Sequence, residues 1–372
     1  KRPPHRAPPR QAAVLAAGSF FLIQYASEAR GYALAGAFAL AGFLALARHL
    51  ATGRGAWAAA FALAVVLGFL SHLTLAFFYG GALAWSAVAL RRAHGSWRRA
   101  LPGLAALHAA PLGFLLAFYA ADVRHLVVGG GFVRPLAAVV VETLALLLGG
   151  GGTAAGDGLA AALAVAIVAL GVASLWRLGS PLWAFFAGTL FVTPALVLLA
   201  QRPVLLYPRY FYVPFVFLLL LTAHVLGRIA RRPPAGPLVA AALLALIVLA
   251  NALPTASLLR DGRGGYRAAL VYMAERSGEA GLSLQTDHDF EMEILLAFHA
   301  PRLPPGMRIA FLRQSDATSV APEWTVVQDP TPAFSPHPEI VDARERRYVL
   351  ERVFPFAGLS GYHWALYRHA DP

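Results

Sequence analysis

Two short clusters in the 372-residue chain hold side chains that could bind and steer charge. The first is Tyr25-Ala26-Ser27-Glu28-Ala29-Arg30-Gly31-Tyr32, with the pattern Tyr-x-x-Glu-x-Arg-x-Tyr. A carboxylate and a guanidinium two residues apart, flanked by phenols, can hold a metal or sugar hydroxyl together with a phosphate. The same residues equally describe an interfacial aromatic belt with a local Glu–Arg pair. The second cluster is Arg202-Pro203-Val204-Leu205-Leu206-Tyr207-Pro208-Arg209-Tyr210, which leads into a helix predicted over Tyr210–Gly227. A helix start favours an anion and disfavours a cation, so Arg209 there reads as a phosphate clamp more readily than as a headgroup anchor.

Other candidates carry less. His72 stands in a four-residue connection between two apolar runs, where a histidine more often caps or packs than binds. His108 and His224 fall inside predicted helices and face neighbouring helices. Asp287-His288-Asp289, followed by Glu291 and Glu293, invites a metal site. Asp289 as the N-cap of an acidic first turn explains the same residues more simply. No metal ligand set is assigned, and a divalent cation is the one cofactor left open. Glycine runs at 129–131 and 149–152 precede no Lys-Ser/Thr pair, which excludes a phosphate-binding P-loop and leaves hinges.

The elements that must position these residues are apolar helices. The chain is 58% hydrophobic and 13% charged, about half the charge density of an ordinary soluble domain. Its charge is unevenly spread. Residues up to Leu253 carry +15, and those from Pro254 onward carry −3. This is the pattern of a polytopic membrane body followed by a water-soluble tail. The basic residues punctuate apolar runs instead of forming a stripe, so nucleic acid is rejected as a partner and membrane lipids are expected. The absence of cysteine excludes disulfides and thiol chemistry.

A helix crossing hydrocarbon needs about 20 apolar residues. Nine candidate spans follow: Gln11–Ala26, Tyr32–Ala47, Ala56–Leu70, Leu75–Leu90, Ala100–Ala120, Gly158–Trp176, Leu182–Ala200, Tyr210–Gly227 and Pro237–Leu253. Alternating the sides places 14 basic residues in one set of connections and five in the other. The positive-inside rule makes the first set cytoplasmic. A cytoplasmic start and an external C-terminal domain result. Leu136–Leu148, only 13 residues with Glu142 in its middle, reads as an interfacial or re-entrant helix within an external loop at 121–157. The domain boundary falls between 253 and 254. Beyond it, helices are predicted over Tyr266–Arg276 and Glu291–Phe298. Strands are predicted over Leu282–Gln285, Arg308–Leu312, Trp324–Val327, Tyr348–Phe354 and His363–Tyr367, which makes a small α/β domain.

The order of these features resembles a known family. The Glu28-x-Arg30-x-Tyr32 turn comes first, then the short hairpin with Ser71-His72, then Arg209-Tyr210 with Pro214 inside the following helix. Gly265-Tyr266-Arg267 then opens a soluble helix, and Ser360–Arg368 resembles a closing strand. In this order they resemble GT-C type glycosyltransferases that use polyprenyl-phosphate-sugar donors, the bacterial relatives of protein mannosyltransferases and lipid A aminoarabinose transferase. The likeness covers most of residues 1–275. It implies a GT-C-like helix bundle in the bacterial cytoplasmic membrane, with a periplasmic α/β domain. The activity it implies is an inverting transfer of sugar to a lipid, glycan or protein acceptor. It further implies that Arg30, His72, Arg209 and Tyr210 meet the donor phosphate, and that Tyr25, Glu28, Tyr32 and Arg202 line the cavity. The family's acidic general base lies in the first external loop, which places it upstream of Lys1 here. A start at Lys1 reads as truncation. Two other classes compete: a transporter or flippase of lipid-linked sugars, and a noncatalytic membrane-anchored sensor. The first should show two related halves, which the sequence lacks. The second has no need of charge in short external turns.

Overall fold

The computed structural model describes residues 9–28, 30–126, 133–150, 153–201, 205–277, 281–303, 308–316, 321–330, 334–342 and 344–370. The chain falls into two compact units, Lys1–Ala252 and Leu253–Pro372. In the first, charge-free apolar runs are helical, because a helix satisfies its backbone N–H and C=O groups within its own segment. In chain order the helices are α1 (Pro9–Ala17), α2 (Phe20–Ala26), α3 (Tyr32–Thr52), α4 (Gly55–Ser71), α5 (Leu75–His94), α6 (Trp97–Ala121), α7 (Leu136–Ala145), α8 (Ala154–Arg177), α9 (Leu182–Ala187), α10 (Thr193–Gln201), α11 (Tyr212–Ile229) and α12 (Gly236–Asp261), whose last nine residues belong to the second unit. A π-helical turn, Gly188–Val192, joins α9 to α10. Among the described residues six stretches are long and apolar enough to cross a membrane. They are α3, α6, α8, the α9–α10 run, α11 and the stretch beginning with α12.

The nine expected runs are all helical, but not all as single long rods. α4 has 17 residues. The first run breaks at Gly18-Ser19, where Ser19 takes extended backbone and its hydroxyl accepts the Leu22 N–H to cap α2. That break leaves the Phe20 N–H without a helical partner. It donates instead to Asn251 Oδ1 of α12 at 2.9 Å. Asn251 Nδ2 donates to Ile247 O at 2.8 Å and to Leu147 O at 2.9 Å, in the 3₁₀ turn Leu146–Leu148 that ends α7. One buried amide therefore satisfies two irregular backbones distant in sequence. Glu142 of α7 is half-buried and pairs with Arg134 just before the helix.

The buried histidine of α6 is also satisfied. Ser86 Oγ donates to Leu83 O, which leaves it to accept from His108 Nε2 at 2.9 Å. Tyr79 OH then donates to His108 Nδ1 at 3.1 Å. This closed network ties α5 to α6.

The second unit is a six-stranded mixed sheet under two helices. Its elements are α13 (Tyr266–Ser277), β1 (Leu282–Thr286), α14 (Asp289–His299), β2 (Ile309–Phe311), β3 (Trp324–Asp329), β4 (Glu339–Val341), β5 (Arg347–Phe354) and β6 (His363–His369). The strand order is β2-β1-β3-β6-β5-β4. β1 runs parallel to β2 and β3, and the remaining neighbours are antiparallel. Leu270 and Met273 of α13 and Met292 and Leu296 of α14 pack on Leu284, Trp324, Val326 and Trp364 of the sheet. β4 was not expected: three residues are too few to show alternation, and its pairing with β5 defines it. Asp289 is not the N-cap of α14 either. His288 occupies that position, and Asp289 Oδ2 accepts the Gln314 N–H at 3.0 Å from the segment after β2.

Replacing Asn251 with Leu keeps the volume and removes every one of these hydrogen bonds, orphaning the Phe20 N–H and Leu147 C=O. Each orphaned buried group costs about 1–3 kcal/mol. Thermal unfolding in detergent should show a clearly lowered midpoint for Asn251→Leu, and an unchanged midpoint would make the amide dispensable.

Candidate functional site

The turn from α2 to α3 is held by close approach. A Cβ on Gly31 would fall 1.8 Å from Ser71 O, so only glycine lets this turn lie against the α4–α5 connection. His72 follows Ser71 as the C-cap of α4. Its Nδ1 accepts the Thr74 N–H at 3.2 Å, and its ring centroid lies 4.4 Å from that of Tyr32. A second glycine brings in the third segment: a Cβ on Gly36 of α3 would lie 2.9 Å from the Tyr212 ring of α11. Tyr32 thus stands between Tyr25 (5.7 Å), His72 and Tyr212 (5.8 Å).

Arg209 lies just before α11. The α-helix begins at Tyr212, two residues later than expected, because Pro208–Phe211 form a 3₁₀ turn. Pro208 supplies no N–H, which suits the first position of such a turn. Pro214 falls in the first turn of α11, where its missing N–H removes no helical bond. The Arg209 guanidinium lies over the Tyr207 ring at 4.3 Å and the Tyr210 ring at 5.6 Å.

These three segments meet electrostatically. Tyr32 senses Arg209, Arg30 and Tyr210, and its phenol is within hydrogen-bonding reach of Arg30. Glu28 is 8% exposed and Arg30 51% exposed at the side chain, in a loose pair at 3.8 Å. Gln24 Nε2 donates to Glu28 Oε1 at 3.3 Å. Burial, then Arg30 and Arg209, push the His72 imidazole from its ordinary 6.5 down to about 4. Near neutral pH the ring is therefore uncharged. With Nδ1 accepting from Thr74, its proton sits on Nε2. The cluster offers two guanidiniums, an imidazole N–H and phenols against one carboxylate, a set suited to an anion with several oxygens.

The structure therefore brings together Glu28, Arg30, Tyr32, His72, Arg209 and Tyr210 from three parts of the chain. Tyr25 is buried behind Tyr32 in the aromatic stack and supports the cluster from within. Arg202 lies outside the described residues. Tyr207 and Tyr212 were not singled out from sequence, although Tyr207 falls within the second cluster. An apolar cavity of about 220 Å³ also had no signal in the sequence, since α7, α8, α10 and α11 build it jointly. Thr143, Val168, Leu190, Leu198, Phe211 and Phe215 line it. Phe211 follows Arg209 by two residues in the same turn. In the second unit, His288 lies 4.0 Å from Asp287 and 3.9 Å from Glu291. Among the described residues no group of three or more candidate ligands is placed to hold a metal.

No known protein family, characterised protein or solved structure is significantly similar to this chain.

The His72 environment gives a pH prediction. Between about 4 and 6.5 the unfolded imidazole binds a proton that the folded one does not. Stability contributed by His72 is thus complete above 6.5 and lost as pH falls through this window toward about 4. Imidazole titration followed by NMR with selectively labelled histidine should give a midpoint near 4 for His72, and a midpoint near 6.5 would contradict the placement.

Proposed function

We propose that the chain is the membrane body and attached domain of a GT-C type glycosyltransferase that takes its sugar from a polyprenyl-phosphate donor. One observation carries this reading: Arg30 and Arg209 both act on His72, and Phe211, two residues after Arg209 in the same turn, lines an apolar cavity. A lipid phosphate needs both halves of that arrangement. Its anionic head requires fixed donors, and its chain requires an apolar path. In the transfer, the bond between the sugar's anomeric carbon and the phosphate oxygen breaks while a bond to the acceptor oxygen forms. The departing phosphate keeps the electron pair, and Arg209, Arg30 and the His72 Nε2–H stabilise the charge that develops. The acceptor hydroxyl loses its proton to a general base. The family likeness assigns that base to an acid in the first external loop. Glu28, held by Gln24 and loosely paired with Arg30, serves to orient the guanidinium.

The reading includes a bacterial cytoplasmic membrane, nine crossings and the C-terminal unit outside, because that arrangement leaves 14 basic residues in cytoplasmic connections and five outside. The thiol-free chain suits a labelling test. In intact cells an impermeant maleimide should modify Ala300→Cys and spare Gly95→Cys. The reverse pattern would overturn the orientation.

The phosphate assignment can be tested by binding alone. Two charge-assisted hydrogen bonds are lost in Arg209→Ala, and at about 1.5–3 kcal/mol each the affinity for a polyprenyl phosphate should fall by about 10²-fold or more. Arg209→Lys should recover only part, because an ammonium cannot reproduce the two-pronged contact. Calorimetry or native mass spectrometry of the purified chain would measure it. Unchanged affinity in a well-folded Arg209→Ala protein would leave Arg209 as an interfacial anchor.

A further inference from the structure

One element of the C-terminal unit has two apolar faces. Met292 and Leu296 of α14 are buried against the sheet. On the opposite side of the helix, Phe290, Ile294 and Phe298 are 67%, 54% and 56% exposed. Spaced four residues apart, these three form a continuous stripe spanning about 80° of the helix surface. Two phenyl rings and an isoleucine in water are not required by the packing of the domain.

We propose that this stripe of α14 lies in the lipid–water interface, so that the C-terminal unit rests on the bilayer surface. The inference depends on the helices spanning a membrane, and not on the glycosyltransferase activity.

Three features select lipid as the occupant. The tether is short: α12 ends at Asp261 and α13 begins at Tyr266, leaving four residues between a span-length helix and the domain. The apolar exterior of α12 also continues almost to that junction, since Leu259 is 80% exposed two residues before the helix ends. Finally, the rim of the stripe is suited to anionic headgroups. The Arg302 guanidinium stacks over the Phe298 ring at 4.1 Å, the arrangement of a snorkelling cation above an aromatic anchor. Arg313 lies on the other flank, paired with Glu293. The second acid of the rim, Glu291, accepts a hydrogen bond from Tyr362 OH at 2.9 Å. The three acids of α14 are all engaged, Asp289 by the Gln314 N–H, which leaves Arg302, exposed beside Phe298, to meet headgroup phosphates.

Because the chain has no cysteine, single spin labels can report on this directly. The full chain would carry Ile294→Cys or, as an independent second site, Phe298→Cys. It would be reconstituted in phosphatidylcholine vesicles holding about one-third phosphatidylglycerol. Collision with oxygen, which concentrates in hydrocarbon, is compared with collision with a water-soluble nickel chelate. Val341→Cys on β4, exposed at the far edge of the sheet, provides the water reference. Leu249→Cys on the exposed side of α12 provides the lipid reference. The expected result is an oxygen-to-nickel collision ratio at 294 and 298 several-fold above that at 341 and approaching that at 249. Nickel access at 294 and 298 equal to that at 341 would place the stripe in water and overturn the proposal. Protection from both reagents would mean that protein, including a second copy of this chain, covers the stripe, and would overturn it equally. A nickel-accessible label at 249 would instead remove the membrane reading on which the proposal stands.

Discussion

In an apolar interior an unpaired backbone amide has no water to turn to, and the first unit is arranged around that constraint. The chain departs from regular α-helix at Gly18-Ser19 and again at Leu146–Leu148, and each departure frees polar groups. Asn251 serves both, accepting from Phe20 N–H and donating to Leu147 O. The consequence reaches the charged cluster. α2 has only seven residues, so fixing its first amide fixes where its far end delivers Glu28 and Arg30. Position is transmitted from a buried hydrogen bond to a surface turn through two turns of rigid helix.

At that end the problem reverses. The guanidiniums must stay near water while the turns that carry them pack closely. The structure resolves this by placing uncharged rings beneath the charges. Tyr25, Tyr32 and Tyr212 form a buried aromatic base, and Tyr207 and Tyr210 offer ring faces to Arg209. His72 belongs to the same base. Its imidazole stacks near Tyr32, and burial with two neighbouring cations keeps it neutral, so it contributes a donor without adding charge. Cations held over a rigid aromatic floor are preorganised for an anion and gain little by moving.

The helices were legible because an apolar run of about 20 residues without charge has few alternatives. Glu28, Arg30 and Arg209 were legible for the complementary reason: charge beside such runs is costly without a partner or a role. Their convergence was not legible. Tyr32 and Arg209 are far apart in sequence, and spacing carries no information about a contact created by Gly31 against Ser71 and Gly36 against Tyr212. The break in the first helix has no local signature, because Gly-Ser is tolerated within apolar helices and the group that stabilises the break lies 231 residues away. Asp289 followed the same logic on a smaller scale. Local rules make it an N-cap, and the tertiary approach of Gln314 claims its carboxylate instead. The apolar cavity depends on four helices at once and has no sequence signature of its own.

In the proposed function the three turns that carry Arg30, His72 and Arg209 and the cavity that Phe211 lines form one site for a lipid phosphate. Electron cryomicroscopy of the chain with a bound polyprenyl phosphate tests it most directly. The account predicts phosphate density within about 3 Å of both the Arg30 and Arg209 guanidiniums, with the isoprenoid chain entering between Phe211 and Phe215. Phosphate density elsewhere on the protein, with Arg30 and Arg209 turned to bulk water or lipid headgroups, would contradict it.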